Sequence, residues 1–155
     1  KRAGDKIELN FPAQLGVCKD TPVGLENALG AKVLEYYEAS KAMAVLESAE
    51  VVCDLSPDLG YINTMEIDGV IITAKGDDCD CVSRYFVPQG GIDEDPVTGS
   101  AHCTVIPYWA DKLGKSELYA KQVSARGGDL YCRLEGARVY IQGDARLYMQ
   151  GRVLL

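Results

Sequence analysis

The residue types that could do chemistry are concentrated in residues 90–100. This segment holds three carboxylates, a proline, three glycines and two hydroxyls, and it leads directly into an apolar helical stretch. The first N–H groups of a helix have no partner within the helix and attract an anion. Gly99 lets a ligand approach the backbone closely, because glycine has no side chain. We therefore expect an anion pocket at the start of this helix.

Asp95 is the carboxylate that this arrangement places beside the pocket. Pro96 biases Asp95 toward an extended conformation, and a carboxylate next to a bound anion is suited to handling a proton. A second interpretation needs no ligand: Thr98 or Ser100 caps the helix, and the acidic residues complement the helix dipole. Composition and spacing alone favour this second interpretation.

The helix itself is predicted over residues 100–113, ending at Gly114. Its first two-thirds is apolar nearly all the way round, with no charge before Asp111, which is typical of a buried helix. Pro107 removes one backbone hydrogen bond and is expected to kink the helix. The helix must therefore be covered by other elements.

Three alternating segments near the C-terminus can supply that cover. Apolar and polar residues alternate in 130–135, 137–142 and 145–149, with Leu147 on the apolar side of the last segment. This pattern predicts an antiparallel meander with one buried face. Further strands are predicted at 7–11, 31–37, 42–46, 69–74 and 80–87, and short helices from Asp20 or Thr21 to Gly30 and over 49–55 and 58–65.

These elements predict an α+β fold in which a curved, mostly antiparallel sheet is rolled around a central apolar helix. The length of 155 residues suits a single domain over 1–155. Residue 1 is Lys and not Met, so we expect the chain to be processed, trimmed or part of something larger.

The charge and the hydropathy of the chain argue against two classes of partner, nucleic acids and membranes. The net charge is −7 and the isoelectric point about 4.7, which argues against nucleic acid as a partner. The longest apolar run, 105–110, is far shorter than the roughly 20 residues of a membrane span. Without a visible signal peptide, we expect a cytoplasmic protein that does not bind membranes.

The cysteines point to neither a metal nor a disulfide framework. They are scattered, and the chain has a single histidine, His102. Such spacing does not suit zinc or the staples of a small secreted domain. We expect no metal, and reduced thiols of which several are buried, at Cys18, Cys53, Cys79, Cys81, Cys103 and Cys132.

The segment 90–100 and its surroundings also resemble a known family, the phenazine-biosynthesis PhzF-like proteins. The resemblance holds its spacing over more than forty residues. It is carried by Ser83-Arg84-Tyr85-Phe86, Gly91-Ile92, residues 94–103, Pro107-Tyr108-Trp109, Leu113-Gly114-Lys115, Gln122, Ser124, Arg126-Gly127-Gly128 and residues 9–13.

The resemblance implies a fold and a reaction. It implies the diaminopimelate epimerase-like fold, in which two similar halves, each a sheet rolled around a helix, enclose the active site. This chain would be the C-terminal half only, and the missing N-terminal half would carry the main acid–base glutamate. The implied reaction is a cofactor-independent isomerisation that moves a proton at carbon on a small carboxylate, for which this chain alone would be inactive.

The resemblance also implies roles for three residues. Asp95 matches the family's active-site aspartate, which lies near the migrating proton, and Gly99 and Ser100 match residues that bind the substrate carboxylate. The epimerase relatives use two cysteine thiols instead, but Cys103 lies one turn inside the apolar helix and is expected to pack in the core. His102 is likewise expected to be a core residue.

Two further alternatives stay open. Arg126 and Arg84 could each offer a cation to a carboxylate, although an exposed turn is the preferred interpretation for Arg126. The chain could also be a non-catalytic module that binds small carboxylates, or one that pairs with a partner, including a second copy, through an exposed apolar face.

Overall fold

The computed structural model describes residues 2–3, 6–146 and 148–152. The elements in this part of the chain are β1 (Arg2–Ala3), β2 (Lys6–Pro12), β3 (Val17–Lys19), α1 (Leu25–Leu29), β4 (Glu35–Glu38), β5 (Ala42–Val45), α2 (Ala49–Asp54), α3 (Leu59–Asn63), β6 (Val70–Lys75), β7 (Cys81–Val87), β8 (Ile92–Glu94), α4 (Gly99–Leu113), β9 (Glu117–Gln122), β10 (Gly128–Glu135) and β11 (Arg138–Asp144). The fold is mixed α+β, as the sequence predicted.

All described strands belong to one sheet. Its order is β1-β2-β11-β10-β9-β7-β6-β5-β4-β3, and β8 pairs with β7 outside this path. Neighbouring strands are antiparallel except for β5 with β6 and β7 with β9. The predicted large and mostly antiparallel sheet is therefore confirmed.

The connection between β2 and β3 requires the sheet to curl. These strands are eight steps apart in the sheet order, which at about 4.8 Å a step would separate them by about 38 Å if the sheet were flat. Only residues 13–16 join them, and five Cα–Cα steps of about 3.8 Å reach at most about 19 Å. The two ends of the sheet must therefore approach each other.

Helix α4 packs against the concave side of this sheet. It contacts β2, β7, β9, β10 and β11, and nine of its residues are buried. Pro107 leaves the carbonyl of Cys103 without its helical donor, and the backbone N–H of Gln14 donates to that oxygen at 2.8 Å. The helix ends at Gly114, as predicted, with φ 65°. No helix in the described part of the chain is long and apolar enough to cross a membrane.

The short helices α1, α2 and α3 cover the other side of β5, β6 and β7. Alternate residues of β6 accordingly belong to two different cores: Ile71 packs with α4, whereas Val70 and Ile72 pack with the short helices. Burial on both faces explains why these strands read as continuous apolar runs instead of alternating.

Three predicted elements differ from the structure. The first helix begins only at Leu25, because Gly24, with φ 91°, interrupts the backbone before it. The strand predicted over 31–37 begins at Glu35. The third meander strand is wrong for the described residues of 145–149: Met149 is 79% exposed, and Leu147 lies outside the described residues. Strand β2 already pairs with the edge of β11 that this strand would have needed.

Replacing either of two buried threonines, Thr73 in β6 or Thr104 in α4, by valine should affect stability differently. The indole N–H of Trp109 donates to Thr73 Oγ1 at 2.9 Å, and that hydroxyl donates to the carbonyl of Val82 at 2.7 Å. Thr73→Val should lower the free energy of unfolding by about 2 kcal/mol, because it leaves the buried indole N–H without an acceptor. Urea denaturation measures the change.

Thr104→Val is the matched control. Thr104 is 2% exposed, and its hydroxyl has no hydrogen-bond partner among the described residues. Removing a buried hydroxyl that makes no bond should leave stability unchanged or raise it by about 1 kcal/mol. Equal destabilisation by both variants would contradict the assignment of the Trp109 contact.

Candidate active site at the start of α4

The structure brings the three predicted site residues together. Asp95 is half-buried in the loop between β8 and α4, and its backbone N–H donates to the carbonyl of Tyr85 at 3.0 Å. Gly99 and Ser100 are the first two residues of α4. Residues 95–98 therefore form the short connection from β8 to α4, with Asp95 at its beginning and Gly99 and Ser100 directly after its end.

Thr98 occupies the N-cap position but does not cap the helix. Its side chain makes no capping hydrogen bond, and the first turn of α4 contains no acidic residue. The hydroxyl of Thr98 instead donates to Oδ2 of Asp95 at 2.7 Å. The interpretation in which Thr98 or Ser100 caps the helix is therefore wrong, because Thr98 is turned toward Asp95 and Ser100 already lies inside the helix.

Gln122 turns Thr98 toward Asp95. It is 1% exposed at the end of β9, and its Oε1 accepts the backbone N–H of Thr98 at 2.7 Å. Its Nε2 donates to the carbonyl of Asp95 at 2.6 Å and to Thr98 Oγ1 at 3.2 Å. Sequence reasoning gave Gln122 no role; the available signal was a polar residue at an inward position of an alternating strand.

His102 holds the remaining polar group of Thr98. It is fully buried, and its Nδ1 lies 2.8 Å from the carbonyl oxygen of Thr98. Burial lowers the pKa of His102, so the ring is neutral near pH 7. Since a carbonyl can only accept, Nδ1 carries the proton, and Nε2 can accept the hydroxyl of Ser83 at 3.4 Å. The expectation of a core histidine is confirmed.

These contacts form one buried polar cluster. Of the six buried polar residues in the described part of the chain, four belong to it: Ser83, Thr98, His102 and Gln122. Every polar group of Thr98 has a partner in this cluster or in Asp95. A polar group in a core lowers stability unless it is paired. The hydrogen bonds of this cluster therefore fix the conformation at the start of α4, in addition to apolar packing.

A second loop is pinned against residues 95–99. The Ser124 hydroxyl donates to the carbonyl of Pro96 at 2.7 Å. Gly128 lies so close to Val97 that a Cβ at this position would be 2.5 Å from Val97 Cγ2, so any larger residue would require the Val97 side chain to move. Arg126, on this loop, is exposed and makes no ion pair among the described residues.

A cavity of about 550 Å³ opens beside the helix start. Of the three predicted site residues, Gly99 lines this cavity and Asp95 and Ser100 do not. Arg126 also lines it, and its apolar wall includes Ile7 and Leu9, each 46% exposed. Arg84 does not reach this cavity, because its guanidinium pairs with Glu94 at 2.8 Å and donates to the carbonyl of Leu55 at 2.6 Å. Arg84 is therefore a structural anchor for β8.

Cys103 is poorly placed for thiol chemistry. Its side chain is 3% exposed, and its sulfur lies 3.7 Å from the carbonyl oxygen of Gly99. Burial raises the pKa of Cys103, which keeps the thiol protonated and unreactive at neutral pH. All six cysteines are free, and the described residues contain no group of three or more His, Cys, Asp or Glu that could hold a metal.

Thiol labelling tests this environment. Iodoacetamide at pH 8 should modify Cys18 and Cys53, which are exposed, and should leave Cys103 and Cys132 unmodified in the native protein. Burial raises the pKa of Cys132 to about 12, so this thiol is the protonated reference. Peptide mass spectrometry reads the result, and labelling of Cys103 at the rate of Cys18 would contradict its assignment to the core.

Comparison with known proteins gives the chain its relatives. Residues 19–151 match the phenazine biosynthesis-like protein family. A Pseudomonas aeruginosa protein named an uncharacterized isomerase is 48% identical over 155 residues, covering 99% of this chain and 59% of the relative. An uncharacterized isomerase of Halalkalibacterium halodurans is 36% identical over 159 residues, covering 99% of this chain and 60% of the relative.

Solved structures give the same result. The crystal structure of a PhzF-family phenazine biosynthesis protein from Enterococcus faecalis superimposes with a TM-score of 0.92 at 40% identity, covering 99% of this chain and 60% of that one. The chain thus spans about 60% of the length of these relatives. Since this share exceeds one half, the expectation of a match to the C-terminal half only is not supported. The chain belongs to the phenazine biosynthesis-like, or PhzF-like, family.

Proposed function

We propose that the chain is part of an isomerase that moves a proton at carbon on a small carboxylate substrate by general acid–base chemistry. In this proposal Gly99 and Ser100 bind the substrate carboxylate, and Asp95 orients the substrate or assists the proton transfer. The observation that carries the proposal is the uncapped start of α4 beside Asp95.

The two oxygens of Asp95 differ in a way that suits this role. Oδ2 accepts the hydroxyl of Thr98 at 2.7 Å, whereas Oδ1 accepts no hydrogen bond among the described residues. One oxygen is thereby fixed and the other is available. A carboxylate held in this way can present a single acceptor to a substrate proton with little loss of side-chain entropy.

The helix start supplies the complementary site for an anion. Its free N–H groups and the positive end of its dipole favour a carboxylate, and the side chain of the N-cap residue Thr98 makes no hydrogen bond to them. The apolar wall beside Gly99 provides a surface for the carbon skeleton of the substrate. The proposed proton transfer uses only side chains and backbone N–H groups.

The rest of the protein has a defined part in this proposal. Since the chain spans about 60% of the length of its relatives, we propose that the principal acid–base glutamate lies in the remaining portion and that this chain alone is inactive. The sheet with α4 would form part of a diaminopimelate epimerase-like fold. Relatives named as isomerases support this reaction type.

Exchange with heavy water tests the proposal. The complete protein is incubated in D₂O with a panel of small carboxylates, and deuterium uptake at carbon is followed by NMR and mass spectrometry. Asp95→Asn should reduce the uptake at least about 100-fold, the usual contribution of a positioned acid–base group. Asp93→Asn, an exposed carboxylate two residues away, should leave the uptake unchanged.

Two outcomes would count against this reading. Full uptake in the Asp95→Asn protein would remove the proposed role of Asp95. Carboxylate binding without uptake by the complete protein, for any member of the panel, would favour the alternative of a non-catalytic module.

A further inference from the structure

We propose that Gln122 is a positioning residue for this site: its buried side-chain amide turns the Thr98 hydroxyl onto Asp95 and keeps it away from the helix start. The inference rests on the proposed function, since it concerns the same carboxylate site. Gln122 is 1% exposed, whereas Asp95 is half-buried and Ser100 is exposed, so Gln122 acts through Thr98 and not on the substrate.

The side-chain amide of Gln122 has only one possible orientation. Its oxygen faces the backbone N–H of Thr98 at 2.7 Å, and its nitrogen faces the backbone carbonyl of Asp95 at 2.6 Å. If the amide were rotated by 180°, its NH₂ group would face the N–H of Thr98 and its oxygen would face the carbonyl of Asp95. Neither contact could be a hydrogen bond, so these backbone groups fix the positions of Oε1 and Nε2.

This orientation of the Gln122 amide makes the proton of the Thr98 hydroxyl point to Asp95. Nε2 of Gln122 lies 3.2 Å from Thr98 Oγ1 and donates to it. A hydroxyl has a single proton, and with Gln122 donating to the oxygen that proton points to Oδ2 of Asp95 at 2.7 Å. Gln122 therefore sets both the rotamer of Thr98 and the direction of its hydrogen bond.

Gln122 is held rigidly by the sheet. Gln122 pairs with Ser83 across the parallel strands β9 and β7, and the N–H of Val123 donates to the carbonyl of Ser83 at 2.8 Å. Gln122 is 1% exposed and Thr98 6%. Buried and held by the sheet, the amide cannot exchange its partners for water, so Thr98 is kept out of the capping position.

Removing the amide should release Thr98 to cap its own helix. An N-cap threonine accepts the N–H of the second or third helical residue, here Ser100 or Ala101. In Gln122→Met, hydrogen exchange of these two amides should slow by roughly fivefold, the fold-change expected of a capping bond. A merely structural role predicts the opposite, because a loosened loop exchanges faster.

The double variant Gln122→Met with Thr98→Val provides the rescue. Valine cannot cap, so exchange at Ser100 and Ala101 should return to the wild-type rate. Gln89→Met is the control variant: the side chain of this exposed glutamine donates to the carbonyl of Ile62 at 2.6 Å, away from the site. The amide of Ile106, in the middle of α4, reports any general loss of stability.

Binding of benzoate to the complete protein links the geometry to the function. Gln122→Met should weaken benzoate binding about tenfold, because the Thr98 hydroxyl then occupies the helix N–H groups. The double variant should bind benzoate within about threefold of wild type, but its deuterium uptake should be below that of wild type because Asp95 has lost the Thr98 hydroxyl.

The outcomes separate this inference from the proposed function. Faster or unchanged exchange at Ser100 and Ala101 in Gln122→Met, or no rescue by Thr98→Val, overturns the role of Gln122 alone. A wild-type protein that binds no benzoate and takes up no deuterium overturns the proposed function and this inference with it. If Gln122→Met does not fold, Gln122→Leu removes the same three hydrogen bonds with a differently shaped side chain, and the same outcomes apply.

Discussion

The hydrogen bonds between the buried amide of Gln122 and Thr98 are the interaction on which the site depends. They use the N–H and the hydroxyl of Thr98, and through the hydroxyl they fix one oxygen of Asp95. A buried donor or acceptor left without a partner is expensive, so each member of this chain of contacts holds the next in place. The helix start is open because the side chain at its N-cap is engaged elsewhere.

The sheet makes this interaction possible. Strands β7 and β9 are parallel neighbours, and their register places Ser83 beside Gln122. His102 then approaches Ser83 from α4, so the sheet and the helix share one polar cluster on the concave side. The curl imposed by residues 13–16 brings Gln14 to the helix, where its N–H occupies the carbonyl that Pro107 leaves free. The strands, the helix and the connection that form the core therefore also position the candidate site.

The sequence was sufficient for features that depend on neighbours in the chain and insufficient for those that depend on distant contacts. The helix from Gly99 to Leu113 followed from apolar composition and a terminal glycine. The capping role of Thr98 was wrong because its hydroxyl donates to Asp95 and accepts from Gln122, which is 24 residues away in the chain. The strand predicted around Met149 alternated correctly, but β2 had already taken the edge it needed. Asp95 and Gly99 were chosen as candidates from their spacing and the family resemblance, and their roles stay predictions. Gln122 was not chosen, because its contacts with Asp95 and Thr98 join residues 27 and 24 positions apart in the chain.

An NMR titration of the backbone amides of Gly99, Ser100 and Ala101 in the complete protein tests most directly whether the start of α4 recognises a carboxylate. Benzoate is added at constant ionic strength, with chloride as the reference anion. Saturable shifts of the Ser100 and Ala101 amides are expected with benzoate, and none with chloride. Amides that do not respond, or that respond equally to both anions, would contradict the claim that the open start of α4 recognises a carboxylate.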